Sequence, residues 1–250
     1  MSIANETPNN SSADAPRDAV RITGISSMAT RHVLAEMTAA FSERTGHTVA
    51  IESVGGVDAA KRVQAGEVFD VVILGSDAID TLMASGAVVS GSRVDWVRSG
   101  VAVAVRAGEK LPDIASEEAV KRAVLAAKSV SYSTGPSGVA LAKLFERWGI
   151  TEDIKRRMVQ AMPGVPVGSL VASGAVALGF QQLSELLHVE GITLVGPLPD
   201  AIQITTIFSA GLPLSRNADP ARVAAVKALL DFMVSNEADA AKRRQGMTPC

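Results

Sequence analysis

Short apolar runs alternate along the chain with amphipathic segments that have helical spacing. Residues 20–25 predict a strand, and residues 28–43 predict a helix that carries Leu34, Met37 and Phe41 on one face. Residues 71–74 form an apolar run without polar positions, which is typical of a central strand covered on both faces. This alternation predicts an α/β fold in which helices connect the strands of a sheet.

The same pattern continues through the rest of the chain. Strands are further predicted over residues 48–52, 101–105, 130–133, 178–180, 192–195 and 202–208. Helices are further predicted over residues 117–127, 167–172 and 220–234.

Two stretches, residues 20–37 and 130–149, share one plan. In each, a short strand runs into a turn of serine, threonine and glycine that opens directly onto a helix. The first turn of a helix has unpaired backbone N–H groups and the positive end of the helix dipole, so small hydroxyl residues there favour an anion. We expect the two turns to face one shared cleft.

The candidate ligand-binding residues lie where predicted parallel strands end, which is the edge at which ligands of open sheets collect. Glycine-rich turns are also common connectors, so a purely structural role remains open for each turn alone. The turn residues are Ser26, Ser27, Ser53, Gly55, Gly56, Ser76, Ser133, Thr134, Gly135, Ser137 and Gly138.

Four longer polar side chains are also candidates for ligand contact. Arg31 and Arg98 could each pair with a ligand carboxylate in fork geometry. Gln181 and Gln182 could supply neutral hydrogen bonds. Since neighbours on a strand point to opposite faces, we expect only one of these two amides to face the ligand.

Composition and motifs exclude several classes of function. The chain has 250 residues, 47% of them hydrophobic, and a formal net charge of -2, which does not indicate a nucleic-acid partner. The single cysteine, Cys250, allows neither an internal disulfide nor a cysteine metal cluster. His32, His47 and His188 lack metal-ligand spacing, so no metal is expected. Nucleotide-binding loops and the nucleophile elbow of serine hydrolases are absent as well.

Residues 1–18 are rich in Asn, Pro, Ser and Ala, and we expect them to form a disordered tail. They lack the basic start and the apolar core of a secretory signal, which favours a cytoplasmic location. The sequence contains no apolar run of bilayer length, so membrane insertion is not expected.

Three segments together resemble a known family: residues 52–56, the phrase AGEVFDVVILGSDAIDTLMASGAV at 65–88, and the loop 133–138. They are similar to the type 2 periplasmic binding fold, in the branch of the molybdate-binding proteins, and the resemblance covers residues 20–247. It implies two α/β lobes, 19–98 with 209–250 and 99–208, joined by two crossover strands around an interlobe ligand cleft.

The resemblance also implies a ligand, a small anion held by hydroxyl groups and helix N-termini. By position, Ser27 lies in the first anion turn, with Ser53, Gly55 and Gly56 in the second. Molybdate binders of this branch usually carry a second serine where this chain has the two glycines. The chain departs from the molybdate pattern at that point.

Some proteins that resemble this branch are enzymes, the aconitate isomerases among them. The resemblance then implies a cofactor-free isomerase that shifts a double bond in a small unsaturated polycarboxylate such as aconitate. Glu52, beside the second turn, is the predicted proton-transfer residue, with Tyr132 and His32 as further candidates. For Glu52 an exposed strand-end or helix-capping role remains open. The alternative function is a non-catalytic molybdate or small-anion binding protein of an ABC-transport or sensing system.

Overall fold

The computed structural model describes residues 19–162, 164–214 and 219–250; the predicted tail, 1–18, lies outside them. The strands are β1 Arg21–Ser27, β2 Thr48–Val54, β3 Val71–Gly75, β4 Val94–Arg106, β5 Val130–Tyr132, β6 Met158–Gln160, β7 Leu178–Gln182, β8 Ile192–Pro197, β9 Thr205–Gly211 and β10 Thr248–Pro249.

Helices connect most of these strands. They are α1 Arg31–Thr45, α2 Gly56–Gln64, α3 Ser76–Ala84, α4 Glu117–Ala126, α5 Pro136–Arg147, α6 Thr151–Ile154, α7 Val167–Ala172, α8 Leu183–Leu186, α9 Pro220–Val234 and α10 Asn236–Arg244. Single 3-10 turns lie at Met28–Thr30, Lys155–Arg157 and Asp200–Ile202.

The strands pair in the order β2-β1-β3-β9-β4-β7-β5-β6, with β8 and β10 also paired to β4. In the first lobe, β1 is parallel to β2 and β3, while β9 lies antiparallel between β3 and β4. In the second lobe, β5 is parallel to β6 and β7. The first half of β4 pairs with β9 and its second half with β7 and β8, so β4 runs from one lobe into the other.

Each lobe has its own buried apolar core. In the first lobe, Phe41 and Trp96 pack with strand residues such as Ile73. In the second lobe, Phe145 and Phe180 pack together with the ring centroids 6.2 Å apart. Burying one such side chain contributes about 1.5–3 kcal/mol, so each lobe has the means to hold its turns in place. β3 is buried along Val71–Leu74, as its apolar run predicts.

β4 begins seven residues before the predicted strand 101–105. The register shifts between Asp95 and Val97, where a bulge breaks the regular alternation along the strand. Trp96 and Val97 are therefore both buried although they are neighbours. The apolar pattern of the sequence could reveal only the second half of this strand.

Candidate functional site

A cavity of about 370 Å³ lies between the two lobes. The first lobe contributes residues from the starts of α2 and α3 and from β9, and the second lobe contributes the start of α5 and the end of β7. The lobes nearly meet beside the cavity, since a Cβ atom added at Gly55 would lie 3.9 Å from the backbone nitrogen of Gly164. One lobe thus bounds the cavity on each side.

Eight of the residues that the sequence suggests for ligand contact line this cavity. They are Ser27, Gly55, Gly56, Ser133, Thr134, Gly135, Ser137 and Gln182. The structure therefore brings the two hydroxyl turns together as opposite walls of one space.

Three helices begin at the cavity with a glycine in the N-cap position. The N-caps are Gly55 for α2, Gly75 for α3 and Gly135 for α5, and none provides a side-chain cap. The first turn of α5 also contains no acidic residue. Backbone N–H groups in the first turn of α5 are consequently the most open to an anion, which the helix dipole also favours, whereas Asp58 and Asp77 lie in the first turns of α2 and α3.

Two polar atoms at the cavity are buried without a hydrogen-bond partner in the described part of the chain, Ser27 Oγ and Gln182 Oε1. Their residues are 7% and 4% exposed. The Gln182 amide donates through Nε2 to Thr206 Oγ1 at 2.7 Å. Because the Thr206 hydroxyl can donate as well as accept, the amide could turn over, keep this bond and present Nε2 to an anion. Unpartnered buried groups of this kind are suited to a ligand.

One acidic side chain, Glu185, stands out among the described residues of the cavity wall. It lies on α8, directly after β7, and is partly exposed through the cavity. Burial raises the pKa of the Glu185 carboxyl to about 7, and a hydrogen bond donated by Gln181 Nε2 at 2.9 Å opposes part of that rise. This carboxyl can therefore gain and lose a proton near neutral pH.

Lys61, on α2, is the one lysine or arginine among the described residues that line the cavity. An ammonium group is a compact cation with three rotatable donors, so it can follow the carboxylate of a ligand. The positive character of the cavity thus comes from Lys61 together with the helix N-termini.

Several turn residues lie behind the cavity wall. The Ser26 and Ser53 hydroxyls share a hydrogen bond of 2.8 Å that links the ends of β1 and β2. Gly138 lies under the second turn, where an added Cβ would be 1.8 Å from the Ser133 carbonyl oxygen. Gly138 therefore allows the turn to fold tightly onto α5. Ser76 lies at the start of α3, with its hydroxyl 3.5 Å from Asp77 Oδ1.

Glu52, the proton carrier that the sequence suggests, lies outside the cavity wall. Its carboxylate is exposed and accepts two hydrogen bonds from Arg62, at 2.7 and 2.8 Å. The Arg62 bond holds the pKa of Glu52 below its ordinary value. Arg62 also binds Glu67, so Glu52 belongs to a surface ion-pair group.

The other candidate residues also lie outside the cavity wall. Tyr132 packs against the core of the second lobe, and Arg31 and Arg98 are exposed. The His32 ring lies 4.2 Å from the ring of His188, and burial, followed by the charges of His188 and Arg31, lowers the pKa of His32. The His32 imidazole therefore contacts His188 and does not line the cavity.

Gln181 also lies outside the wall and supports Glu185 from behind. Its Oε1 accepts a hydrogen bond of 3.1 Å from the backbone N–H of Gly168, at the start of α7. This bond fixes the orientation of the amide and directs Nε2 toward Glu185.

Several residues of the wall are missing from the sequence analysis, among them Lys61, Glu185 and Thr206. Glu185 could have been found, because it follows a predicted strand end by only a few residues, as the serine turns do. Lys61 lies within a helix and Thr206 on β9, so neither carries a local signal of ligand contact.

A second hollow, of about 1010 Å³, lies in the second lobe beneath α4. Its wall includes Ser129 and Leu178, at the amino ends of β5 and β7. Ligands of parallel sheets bind at the opposite, carboxyl ends of strands, where the interlobe cavity is. We therefore place the candidate site between the lobes.

The described residues contain no helix that is long and apolar enough to cross a bilayer. Nor does this part of the chain hold three or more His, Cys, Asp or Glu side chains grouped in a way that could bind a metal ion.

The chain is similar in sequence to an enzyme and similar in structure to binding proteins. The chain is 39% identical over 236 residues to an aconitate isomerase from Pseudomonas sp, covering 91% of this chain and 87% of that protein. The Azotobacter vinelandii periplasmic molybdate-binding protein has a TM-score of 0.73 at 20% identity, covering 91% and 98% of the two chains. A sulfate-binding protein from Mycobacterium tuberculosis has a TM-score of 0.74 at 16% identity, covering 92% and 87%.

These likenesses confirm the type 2 periplasmic binding fold, with two α/β lobes joined by crossover strands around a cleft. The exact lobe boundaries, 98/99 and 208/209, stay predictions.

The sequence model of a protein family, the bacterial extracellular solute-binding proteins, matches residues 22–248. Its description gives no support to the cytoplasmic location expected from the sequence. The chain belongs to this family of bacterial extracellular solute-binding proteins.

Proposed function

We propose that this chain is an isomerase that shifts the double bond of a small unsaturated polycarboxylate, with aconitate as its substrate. The observation that carries the proposal is its 39% identity to an aconitate isomerase over nearly the whole chain. The interlobe cavity supports it, because groups that bind carboxylates surround a space of organic-ligand size.

The cavity wall has two kinds of surface. Hydroxyl groups, uncapped helix N-termini and Lys61 can bind the carboxylates of a substrate. Met28, Leu74 and Phe208 supply apolar surface that can contact a carbon skeleton. A volume of about 370 Å³ and this apolar surface suit an organic acid better than a compact tetrahedral oxyanion.

The reaction requires that one proton is removed from the substrate and that one proton is added to it at another carbon. A base removes a proton from the CH₂ group of aconitate, and the C–H electron pair forms a new double bond to the central carbon. The electrons of the old double bond take up a proton at the other end of the three-carbon unit. In between, negative charge spreads onto the substrate carboxylates, where N–H groups and Lys61 stabilise it.

A binding protein without turnover is the second candidate. The hydroxyl turns and uncapped helix starts that could hold carboxylates could also hold an oxyanion such as molybdate or sulfate. The two functions therefore differ in whether the bound molecule changes.

Proton NMR separates them. The purified protein is incubated with trans-aconitate in deuterated water, and the vinyl signals of the cis and trans isomers are followed over time. The proposal expects interconversion, with deuterium entering the allylic position to the extent that the base exchanges with solvent. Unchanged trans-aconitate, together with thermal stabilisation by molybdate or sulfate but not by carboxylates, would identify a binding protein instead.

A further inference from the structure

We propose that Glu185 is the catalytic residue that removes the allylic proton of the substrate and returns it to the other end of the double bond. This inference rests on the proposed isomerase function. The sequence suggests other residues for this role, and the position of Glu185 in the cavity is what distinguishes it from them.

Glu185 is held at the cavity by a short relay of hydrogen bonds. The backbone N–H of Gly168 fixes Gln181 Oε1 at 3.1 Å, and Gln181 Nε2 then donates to Glu185 Oε1 at 2.9 Å. Gln181 is 4% exposed, so solvent does not compete for its amide. Within the described residues, Glu185 Oε2 has no hydrogen-bond partner, which leaves it for a substrate proton.

The charges around Glu185 also favour this role. No lysine or arginine of the described residues forms an ion pair with it, in contrast to Glu52, which Arg62 binds through two hydrogen bonds. An ionised carboxylate without a cation beside it is a stronger base than one held in an ion pair. Since burial raises the pKa of Glu185 to about 7, both of its protonation states are accessible near neutral pH.

In this step the ionised Glu185 takes the proton from the CH₂ group of aconitate and becomes a neutral carboxylic acid. The C–H electron pair forms the new double bond, and the electrons of the old double bond then take the same proton from Glu185. The residue ends ionised, as it began, so protons and electrons balance. Because one carboxyl serves both ends of the double bond, part of the product should carry the same proton that Glu185 removed from the substrate.

The first test measures whether Glu185 faces the ligand, without any turnover. Tricarballylate, the saturated analogue of aconitate, is titrated at about pH 8 by calorimetry in two buffers of different ionisation enthalpy. Its negative charge should raise the affinity of Glu185 for a proton, so binding should take up protons in the wild type. Glu185→Gln should bind tricarballylate at least as tightly, with that uptake lost.

The second test measures turnover by proton NMR with trans-aconitate. Glu185→Gln should lose about a hundredfold or more in turnover, the usual contribution of a positioned general base. Wild-type kcat/KM should rise as pH increases through about 7, where Glu185 of the unliganded protein ionises.

Glu190→Gln is the matched control for the turnover test, since Glu190 is exposed and does not line the cavity. Should Glu185→Gln fold poorly, Glu185→Asp keeps the acid but sets it back, and turnover should fall while proton uptake remains.

The outcomes separate this inference from the function on which it rests. If the wild type interconverts aconitate and Glu185→Gln does so equally fast, the inference is wrong and the function stands. Wild-type protein that leaves aconitate unchanged overturns the proposed function and the catalytic role together. Proton uptake that is identical in the wild type and Glu185→Gln, or no tricarballylate binding at all, also overturns the role given to Glu185.

Discussion

Three helices that begin at the interlobe cavity differ from α4 and α9, which begin elsewhere. Gly55, Gly75 and Gly135 start α2, α3 and α5 at the cavity without a side-chain cap. Ser116 and Asp219 start α4 and α9 away from it, and each side chain accepts a hydrogen bond from a first-turn N–H. Side chains thus satisfy these two helix starts away from the cavity, whereas α6 and α10 begin without such a cap. The three glycine starts at the cavity leave first-turn N–H groups to a ligand.

This difference has a thermodynamic meaning. A side-chain cap stabilises a helix by about 1 kcal/mol relative to alanine and by a few tenths relative to glycine, and an unsatisfied buried polar group destabilises a protein by about 1–3 kcal/mol. Groups left open at the cavity therefore lower the stability of the unliganded protein and are free to bind a ligand. Substitutions at the cavity should raise stability and weaken binding or turnover, whereas matched substitutions elsewhere should lower stability only.

The largest effect on stability is expected at Glu185. Burial raises its folded pKa from the ordinary 4.5 to about 7, so the folded state holds a proton that the unfolded state releases first. The free energy of unfolding of the wild type should therefore fall as pH rises from about 4.5 to about 7, by at most about 3 kcal/mol. Urea titrations at a series of pH values should show this fall in the wild type and not in Glu185→Gln. Identical pH profiles would mean that the carboxyl is not held in a buried state.

A second test exchanges the two kinds of helix start. Gly135 has extended backbone, and an added Cβ would meet only Ser133 Oγ at 3.7 Å, so Gly135→Asp fits and caps α5. It should raise the free energy of unfolding by a few tenths of a kcal/mol, since glycine is itself a fair N-cap, and weaken tricarballylate binding by about tenfold or more.

The matched change at α4 is Ser116→Ala, which removes a cap away from the cavity. It should lower the free energy of unfolding by about 1 kcal/mol and leave tricarballylate affinity unchanged. Equal affinities for the wild type and Gly135→Asp would show that the ligand does not contact the start of α5.

The smallest effect on ligand binding is expected at Ser27, which can be compared with a second buried serine, Ser209. Ser27 Oγ lacks a partner in the described part of the chain, whereas Ser209 Oγ donates to Asp95 Oδ1 at 2.6 Å. Ser27→Ala should preserve or slightly raise the melting temperature and weaken tricarballylate binding several-fold. Ser209→Ala should lower the free energy of unfolding by about 1 kcal/mol with binding unchanged. A large loss of stability in Ser27→Ala would contradict the view that its hydroxyl is kept for a ligand.

Much of the fold follows from local patterns in the sequence. The helices over 167–172 and 220–234 begin and end at the predicted residues, because apolar spacing and flanking prolines define them. The weaker elements β6, α6 and α10 were missed, since three or four residues carry little pattern and α10 is highly charged. The first half of β4 was hidden by its bulge.

The site was less accessible to sequence reasoning. A turn between a strand and a helix carries a local signal, and the structure brings Ser27, Gly55, Gly135 and Ser137 to one cavity. The role of a carboxylate depends on neighbours that are distant in sequence or set by the fold. Glu52 faces Arg62, whereas Glu185 faces the cavity, and only packing decides between these environments.

The position of β9 between β3 and β4 determines the order in which the lobes can be completed during synthesis. The sheet of the second lobe uses strands from one continuous stretch, β4 to β8, which leaves the ribosome together. The sheet of the first lobe must wait for Thr205–Gly211, more than a hundred residues after β3 has emerged. The N-terminal strands therefore remain without their final neighbour until translation is nearly complete, and the second lobe can fold before them.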